Sequence, residues 1–62
     1  MSLATQEILH LLAVRPATVV ELAEGSGRSV PQVRYMLSGL LEAGRVTRER
    51  PDGRTYRYRQ TD

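Results

Sequence analysis

The sequence predicts a small α+β fold in which three helices are followed by a two-stranded β-hairpin. An apolar stripe at helical spacing precedes Pro16, two capping-box signatures open the next segments, and the hydropathy period changes to two after Gly44. Apolar residues that recur every three to four positions indicate a helix, and strict alternation indicates a strand. With 62 residues and no long linker, residues 1–62 are expected to form a single domain.

The first helix is predicted over residues 2–14. Ile8 and Leu12 recur at helical spacing, and the proline that follows prevents the helix from continuing. Either Ser2 or Thr5 is expected to cap its N-terminus, because a short side chain with a hydroxyl can accept a hydrogen bond from a free backbone N–H.

Each of the next two helices is predicted to open with a capping box, in which two side chains satisfy two free backbone N–H groups. Thr18 with Glu21 opens the second helix, and Ser29 with Gln32 opens the third. Residues 25–28 contain two glycines and are expected to form the tight turn between them. Two helices joined by so short a turn are a helix-turn-helix.

The third helix is expected to have one buried and one exposed face. Val33, Leu37 and Leu40 form an apolar stripe, and Gly44 is the expected C-cap. The opposite, polar face is expected to carry Gln32, Arg34, Tyr35 and Ser38.

Two segments of alternating hydropathy, residues 45–50 and 55–59, are expected to pair as antiparallel strands. The Pro-Asp-Gly sequence between them is typical of a hairpin turn. Val46, Tyr56 and Tyr58 are expected to face the core, with the arginines outward. Because a lone hairpin is barely stable in water, it must pack on the helices.

The basic charge is concentrated in the second half of the chain. All nine basic residues are arginine, and eight of them lie within residues 28–59 together with three carboxylates, which gives that segment a net charge of +5. The exclusive use of arginine is typical of a GC-rich genome, but genome composition does not explain its placement. A basic surface on the third helix and hairpin is expected to face a polyanion.

This arrangement resembles the winged helix domain of bacterial transcriptional regulators of the ArsR and MarR type, over roughly residues 5–59. The segments that carry the resemblance are residues 8–12, 18–24, 33–37, Leu40, 42–46 and 48–54. In that family the third helix lies in the major groove and the hairpin, or wing, reaches the adjacent backbone or minor groove. The resemblance therefore implies sequence-specific binding of double-stranded DNA by a small bacterial or phage regulator.

The resemblance also implies which side chains contact DNA. Arginine can bind guanine and glutamine can bind adenine through two hydrogen bonds each, and a helix N-terminus suits a phosphate. Arginines of the wing would neutralise phosphates or enter a narrow minor groove. The expected DNA-binding residues are Ser29, Pro31, Gln32, Arg34, Tyr35, Ser38, Arg48, Arg50 and Arg54.

Other functions stay open from the sequence. The same chemistry would serve an architectural, excisionase-like factor that bends DNA, and the same surface could dock a partner protein. Leu41, Leu3 and Val14 are expected to be exposed. Together they could form the contact of a weak homodimer or bind a partner protein.

Catalysis, metal binding and a cofactor are not expected. The chain has no Cys, no Lys and one His, so the usual metal-ligand sets cannot be assembled, and a nucleophile–base pair could be formed only by a Ser or Thr with His10. No apolar run approaches the roughly 20 residues that span a bilayer, and the N-terminus lacks the basic segment of a signal peptide. The sequence thus predicts a soluble, cytoplasmic protein with no membrane partner.

Overall fold

The computed structural model describes residues 2–61 and has three helices followed by a two-stranded antiparallel hairpin. The predicted fold class is confirmed. The elements are α1 (Leu3–Val14), α2 (Val19–Ser26), α3 (Val30–Glu42), β1 (Val46–Glu49) and β2 (Arg57–Gln60).

Helix α1 begins one residue later than predicted, because Ser2 is its cap and not its first residue. The Ser2 hydroxyl accepts a hydrogen bond from the backbone N–H of Thr5 at 3.2 Å. Ser2 is therefore the cap among the two candidates. Ile8 and Leu12 are buried, as the helical spacing predicts.

Helix α2 has the predicted capping box but a later end. The Glu21 N–H donates to the Thr18 hydroxyl at 3.2 Å, and the Thr18 N–H donates to the Glu21 carboxylate at 2.9 Å. The turn predicted over residues 25–28 is wrong at its start, because the helix continues to Ser26 and only Gly27 adopts a positive φ, of 68°. Gly25 is helical and faces α1, where a Cβ atom would lie 3.4 Å from a methyl carbon of Leu11. Gly25 is therefore part of the contact between α2 and α1 and not of a turn.

Helix α3 also has its predicted capping box and buried stripe. The Gln32 N–H donates to the Ser29 hydroxyl at 3.3 Å, and the Ser29 N–H donates to the Gln32 side-chain oxygen at 3.0 Å. The C-terminus differs by one position: Ala43 is the cap and Gly44, with φ 72°, follows it. The N–H groups of Gly44 and Arg45 donate back to α3 at 3.1 and 2.9 Å, which makes the end a Schellman motif.

The two strands are shorter than predicted, and the loop between them spans residues 50–56. Gly53 N–H donates to the Arg50 carbonyl at 3.0 Å, and the Asp52 carboxylate accepts from the N–H groups of Arg54 and Thr55. Because these N–H groups bond within the loop, they do not extend the ladder, and the expected strand start at residue 55 is wrong. We call residues 46–60 the wing.

A short extended segment between α1 and α2 adds to the wing. Ala17 forms an antiparallel bridge with Tyr58, which no pattern in the sequence predicted. The core takes side chains from every element, and its buried members are Ile8, Leu12, Ala17, Leu22, Ala23, Val33, Leu37, Leu40, Val46 and Tyr58. The expectation that Val46 and Tyr58 face inward is confirmed, whereas Tyr56 is only half-buried. None of the helices in residues 2–61 has the length and apolar character needed to cross a membrane.

Candidate nucleic-acid interface

The exposed face of α3 presents the polar side chains that the sequence places there. Arg34, Tyr35 and Ser38 are all exposed, and Tyr35 retains 83% of its accessible surface. The Ser38 hydroxyl donates to the Arg34 carbonyl one turn earlier at 3.0 Å, so its oxygen still has room to accept. The Arg34 guanidinium is available to a ligand in front of the helix.

The N-terminus of α3 is engaged in its own cap. The Gln32 side-chain oxygen accepts from both the N–H and the hydroxyl of Ser29, at 3.0 and 3.1 Å. Two hydrogen bonds fill the two lone pairs of an amide oxygen, so a two-bond contact of Gln32 with adenine requires the Ser29 hydroxyl to turn away, while the two capping-box bonds can remain. Pro31 lacks an N–H, and the N–H of Gln32 already donates to Ser29. The first turn therefore has few donors left for a phosphate.

The wing presents five exposed arginines, and three of them, Arg48, Arg50 and Arg54, belong to the predicted site. The guanidinium carbons of Arg48 and Arg50 lie 4.1 and 4.9 Å from the centroid of the Tyr56 ring. The backbone of Arg54 is held by the Asp52 carboxylate, whose pKa is lowered by the hydrogen bonds it accepts from the N–H groups of Thr55 and Arg54. The wing tip is thus closed by a carboxylate that stays ionised at neutral pH.

A cleft of about 580 Å³ separates α3 from the wing and brings some of the predicted residues together. We call it the α3–wing cleft. Its lining includes Arg34 and Ser38 from α3 and Arg48 and Arg54 from the wing. Four of the nine predicted residues therefore share one concave surface.

Other predicted residues lie on a separate groove. Pro31, Gln32 and Tyr35 line a groove of about 500 Å³ together with Arg28 and the start of α1. Ser29 is exposed at the start of α3, and Arg50 lies beside the Tyr56 ring. The predicted site is consequently divided, with the arginines of two elements on the cleft and the start of α3 on the groove.

Ion pairs separate the structural arginines from those of the cleft. Arg28 pairs with Glu7 at 2.8 Å, Arg57 with Glu21 at 3.4 Å, and Arg59 with Glu49 at 3.8 Å. Within residues 2–61, no ion pair involves the arginines of the predicted site, which are Arg34, Arg48, Arg50 and Arg54. Within the same residues, the arginines without a carboxylate partner are these four together with Arg15 and Arg45.

Sequence reasoning missed several residues that line the cleft. Thr18, Thr55 and Tyr56 contribute to it, as does Leu41, which is half-buried and not exposed as expected. Thr18 could not be found from local patterns, because only the packing of α2 against α3 brings the start of α2 to this surface. Leu3 and Val14 are exposed as expected, at opposite ends of α1. Residues 2–61 contain no group of three side chains able to hold a metal ion.

Comparison with protein families gives a match that covers most of the chain. The family described as sugar-specific transcriptional regulator TrmB matches residues 8–62. No curated protein matches the sequence.

Solved structures support the same fold. Lactococcus lactis ZitR in complex with DNA has a TM-score of 0.84 at 31% identity, over 98% of this chain and 44% of that one. The homodimeric winged helix-turn-helix DNA-binding domain of Mycobacterium bovis Mb0332 has a TM-score of 0.87 at 27% identity, over 95% of this chain and 54% of that one. The adhesin competence repressor AdcR of Streptococcus pyogenes has a TM-score of 0.95 at 20% identity, over 100% and 48%, and supports the fold alone. The chain spans less than half the length of the ZitR chains that it matches.

Proposed function

The chain belongs to the TrmB family of transcriptional regulators, and we propose that it binds double-stranded DNA in a sequence-specific manner. In this proposal α3 enters the major groove while the wing contacts the adjacent backbone or minor groove. The observation that carries it is the α3–wing cleft, where arginines from two elements converge and form no ion pair with a carboxylate of residues 2–61. A polyanion that passes between helix and wing would meet these cations together. ZitR, which shares the fold, has been solved in complex with DNA.

The geometry suggests different roles for the two groups of predicted residues. Arg34, exposed on α3, is the candidate for reading a base edge, since a guanidinium can donate two hydrogen bonds to guanine. The wing arginines Arg48, Arg50 and Arg54 are candidates for phosphate contacts. Ser29, Pro31, Gln32, Tyr35 and Ser38 complete the proposed contact surface.

We propose that two copies act together on one site. Single DNA-binding modules bury on the order of 600–1,000 Å² of protein surface, which limits the affinity and specificity of one copy. The similar domain of Mb0332 is homodimeric. A dimer would double the number of phosphate contacts and impose a two-fold symmetry on the target.

The remaining parts of the proposal follow from the family. Its members are transcriptional regulators, so we propose that this chain performs no catalytic step. We propose that it acts in the cytoplasm, because a bacterial regulator has access to the chromosome there.

The test begins with selection of bound duplexes from a random pool, since the target is unknown. Affinity for the selected duplex and for a scrambled one is then measured by fluorescence anisotropy across a salt series. We expect the logarithm of the affinity to fall with the logarithm of salt concentration, by roughly 0.9 for each phosphate contacted. Arg48→Ala is expected to reduce this slope by about one.

Arg15→Ala is the matched control, because Arg15 is exposed but lines a different groove, between α1 and α2. It removes the same charge and should leave the slope unchanged. Binding without any sequence preference, with adjacent copies filling the duplex, would favour the architectural function instead. The absence of duplex affinity at low salt would overturn DNA binding and favour docking of a protein partner.

A further inference from the structure

Tyr56 lies at the point where the wing loop meets β2, and one side of its ring packs against the core. The ring is half-buried and packs against the core, with its centroid 6.4 Å from that of Tyr58 and the two planes tilted by 49°. Tyr58 is itself buried and bonded to Ala17 through the backbone. Packing therefore restrains the position of the Tyr56 ring, whereas the ring of Tyr35 is exposed.

Two arginines lie over this ring. The guanidinium carbon of Arg48 is 4.1 Å from the ring centroid, and that of Arg50 is 4.9 Å from it. Both distances are within the range at which the negative face of an aromatic ring attracts a cation. The same ring therefore attracts both guanidinium groups.

An arginine that contacts an aromatic ring differs in its free charge and free N–H donors from one that contacts a carboxylate. Glu21 and Glu49 neutralise the charge of Arg57 and Arg59, and Glu21 also accepts a hydrogen bond from an N–H of Arg57 at 3.4 Å. The Tyr56 ring neutralises no charge, and a guanidinium that stacks on a ring keeps the donors in its own plane free. An arginine placed in this way keeps its full charge and its geometry for binding a phosphate through two hydrogen bonds.

We propose that Tyr56 is a positioning residue that orients Arg48 and Arg50 for the phosphates of a DNA backbone. This inference rests on the proposed DNA-binding function. It adds Tyr56, which the sequence predicted only as a core-facing residue, to the side chains that support DNA binding. The Tyr56 ring then has a role beyond packing. The benefit to binding is that two flexible side chains are ordered before the ligand arrives.

The first test uses the free wild-type protein and needs no DNA. Ring currents of Tyr56 should shift the side-chain NMR resonances of Arg48 and Arg50 upfield, and Tyr56→Leu should return them toward the positions of a solvated arginine. Wild-type resonances already at those solvated positions would overturn the proposal, whatever the protein binds.

The second test compares Tyr56→Leu with Tyr56→Phe in the wild-type chain and in the Arg48→Ala/Arg50→Ala background, on one duplex at low salt. Tyr56→Phe keeps the ring and should bind within about twofold of wild type, while Tyr56→Leu should bind roughly three- to tenfold more weakly. In the double-alanine background Tyr56→Leu should have no further effect. An equal loss in both backgrounds would overturn the proposal, because Tyr56 would then affect binding independently of Arg48 and Arg50. Failure of the wild type to bind any duplex would instead contradict the DNA-binding function. The NMR measurement on the free protein does not depend on that function, so the two failures can be told apart.

Discussion

Ala17 and Tyr58 exchange two backbone hydrogen bonds, of 3.0 and 2.8 Å, and so join the segment between α1 and α2 to the second strand of the wing. The bridge adds a one-residue third strand to the hairpin. Tyr58 also places its side chain in the core. A hairpin of two short strands is marginal alone, so this backbone link and the core contact together fix the wing relative to α3.

Replacing Ala17 by proline should therefore destabilise the protein. Proline lacks the N–H that donates to the Tyr58 carbonyl, and an unsatisfied polar group near the core costs about 1–3 kcal/mol. Urea unfolding followed by circular dichroism measures the loss. Ala17→Gly keeps the N–H and should cost roughly 1 kcal/mol or less. Equal midpoints for the two variants would argue against the bridge as a stabilising contact.

Two glycines in and after α3 should respond to alanine in opposite directions. Gly44 has a φ of 72°, which is strained for any residue with a Cβ, so Gly44→Ala should cost about 1–2 kcal/mol. Gly39 is helical, and a Cβ there would meet no atom within 4 Å. Gly39→Ala should accordingly raise the free energy of unfolding by roughly 0.5–1 kcal/mol. Urea midpoints that move in the same direction would contradict this assignment of the helix end.

The capping box of α2 should make stability depend on pH. The backbone N–H of Thr18 donates to Glu21 and holds the pKa of this carboxyl below its usual value of 4.5. Because the folded pKa is the lower one, the stabilisation is present above the unfolded pKa and is lost as pH falls through the folded pKa. Glu21→Gln keeps an acceptor, as Gln32 does in α3, but does not titrate.

The expected result is a stability difference between wild type and Glu21→Gln that shrinks as pH falls from 6 toward 3, about the range in which carboxylates titrate. Thermal unfolding at each pH provides the measurement. Glu24→Gln changes the same charge on the same helix and is the control, since within residues 2–61 Glu24 forms no ion pair. If the wild-type and Glu21→Gln curves ran parallel across this range, the ionised cap would not be stabilising.

Arg34 and Arg50 should affect DNA binding in different ways. Arg34→Ala is expected to reduce discrimination between a selected and a scrambled duplex by roughly 1–3 kcal/mol, because the side chain is placed to read a base edge. Arg50→Ala is expected to weaken binding to both duplexes about equally, as loss of a phosphate contact does. Competition anisotropy on the two duplexes checks both variants. Equal losses on both duplexes for Arg34→Ala would refute its base-reading role.

Much of the fold could be predicted because its signals are local. The capping boxes at Thr18 and Ser29 are formed by residues three positions apart, and the buried positions Val33, Leu37 and Leu40 repeat with the helical period. A hydrogen bond within one turn does not depend on the rest of the chain. These features were consequently predicted correctly from the sequence alone.

The features that were missed depend on contacts between distant parts of the chain. Gly25 looked like a turn residue, but it is helical where α2 packs closely against Leu11. Ala17 pairs with a residue 41 positions later through a bridge of one residue, too short to give any period.

The candidate site could likewise be predicted only in part, because some of its features depend on contacts between distant residues. Its arginine content was visible in the sequence, but which arginines are paired with carboxylates was not. The partners of Arg28 and Arg57 lie 21 and 36 positions away. The contact of Tyr56 with Arg48 and Arg50 likewise depends on how the wing loop folds back on itself. These pairings separate structural arginines from those available to a ligand.

The most direct test of DNA binding is an NMR titration of the isotope-labelled protein with a generic duplex at two salt concentrations. Shifts are expected to centre on Arg34, Ser38 and the Arg48–Arg54 segment of the wing, and to fade at the higher salt as counterions compete for the phosphates. Arg15, outside the cleft, should not shift. A spectrum that does not change at low salt would contradict the central claim that the α3–wing cleft binds duplex DNA.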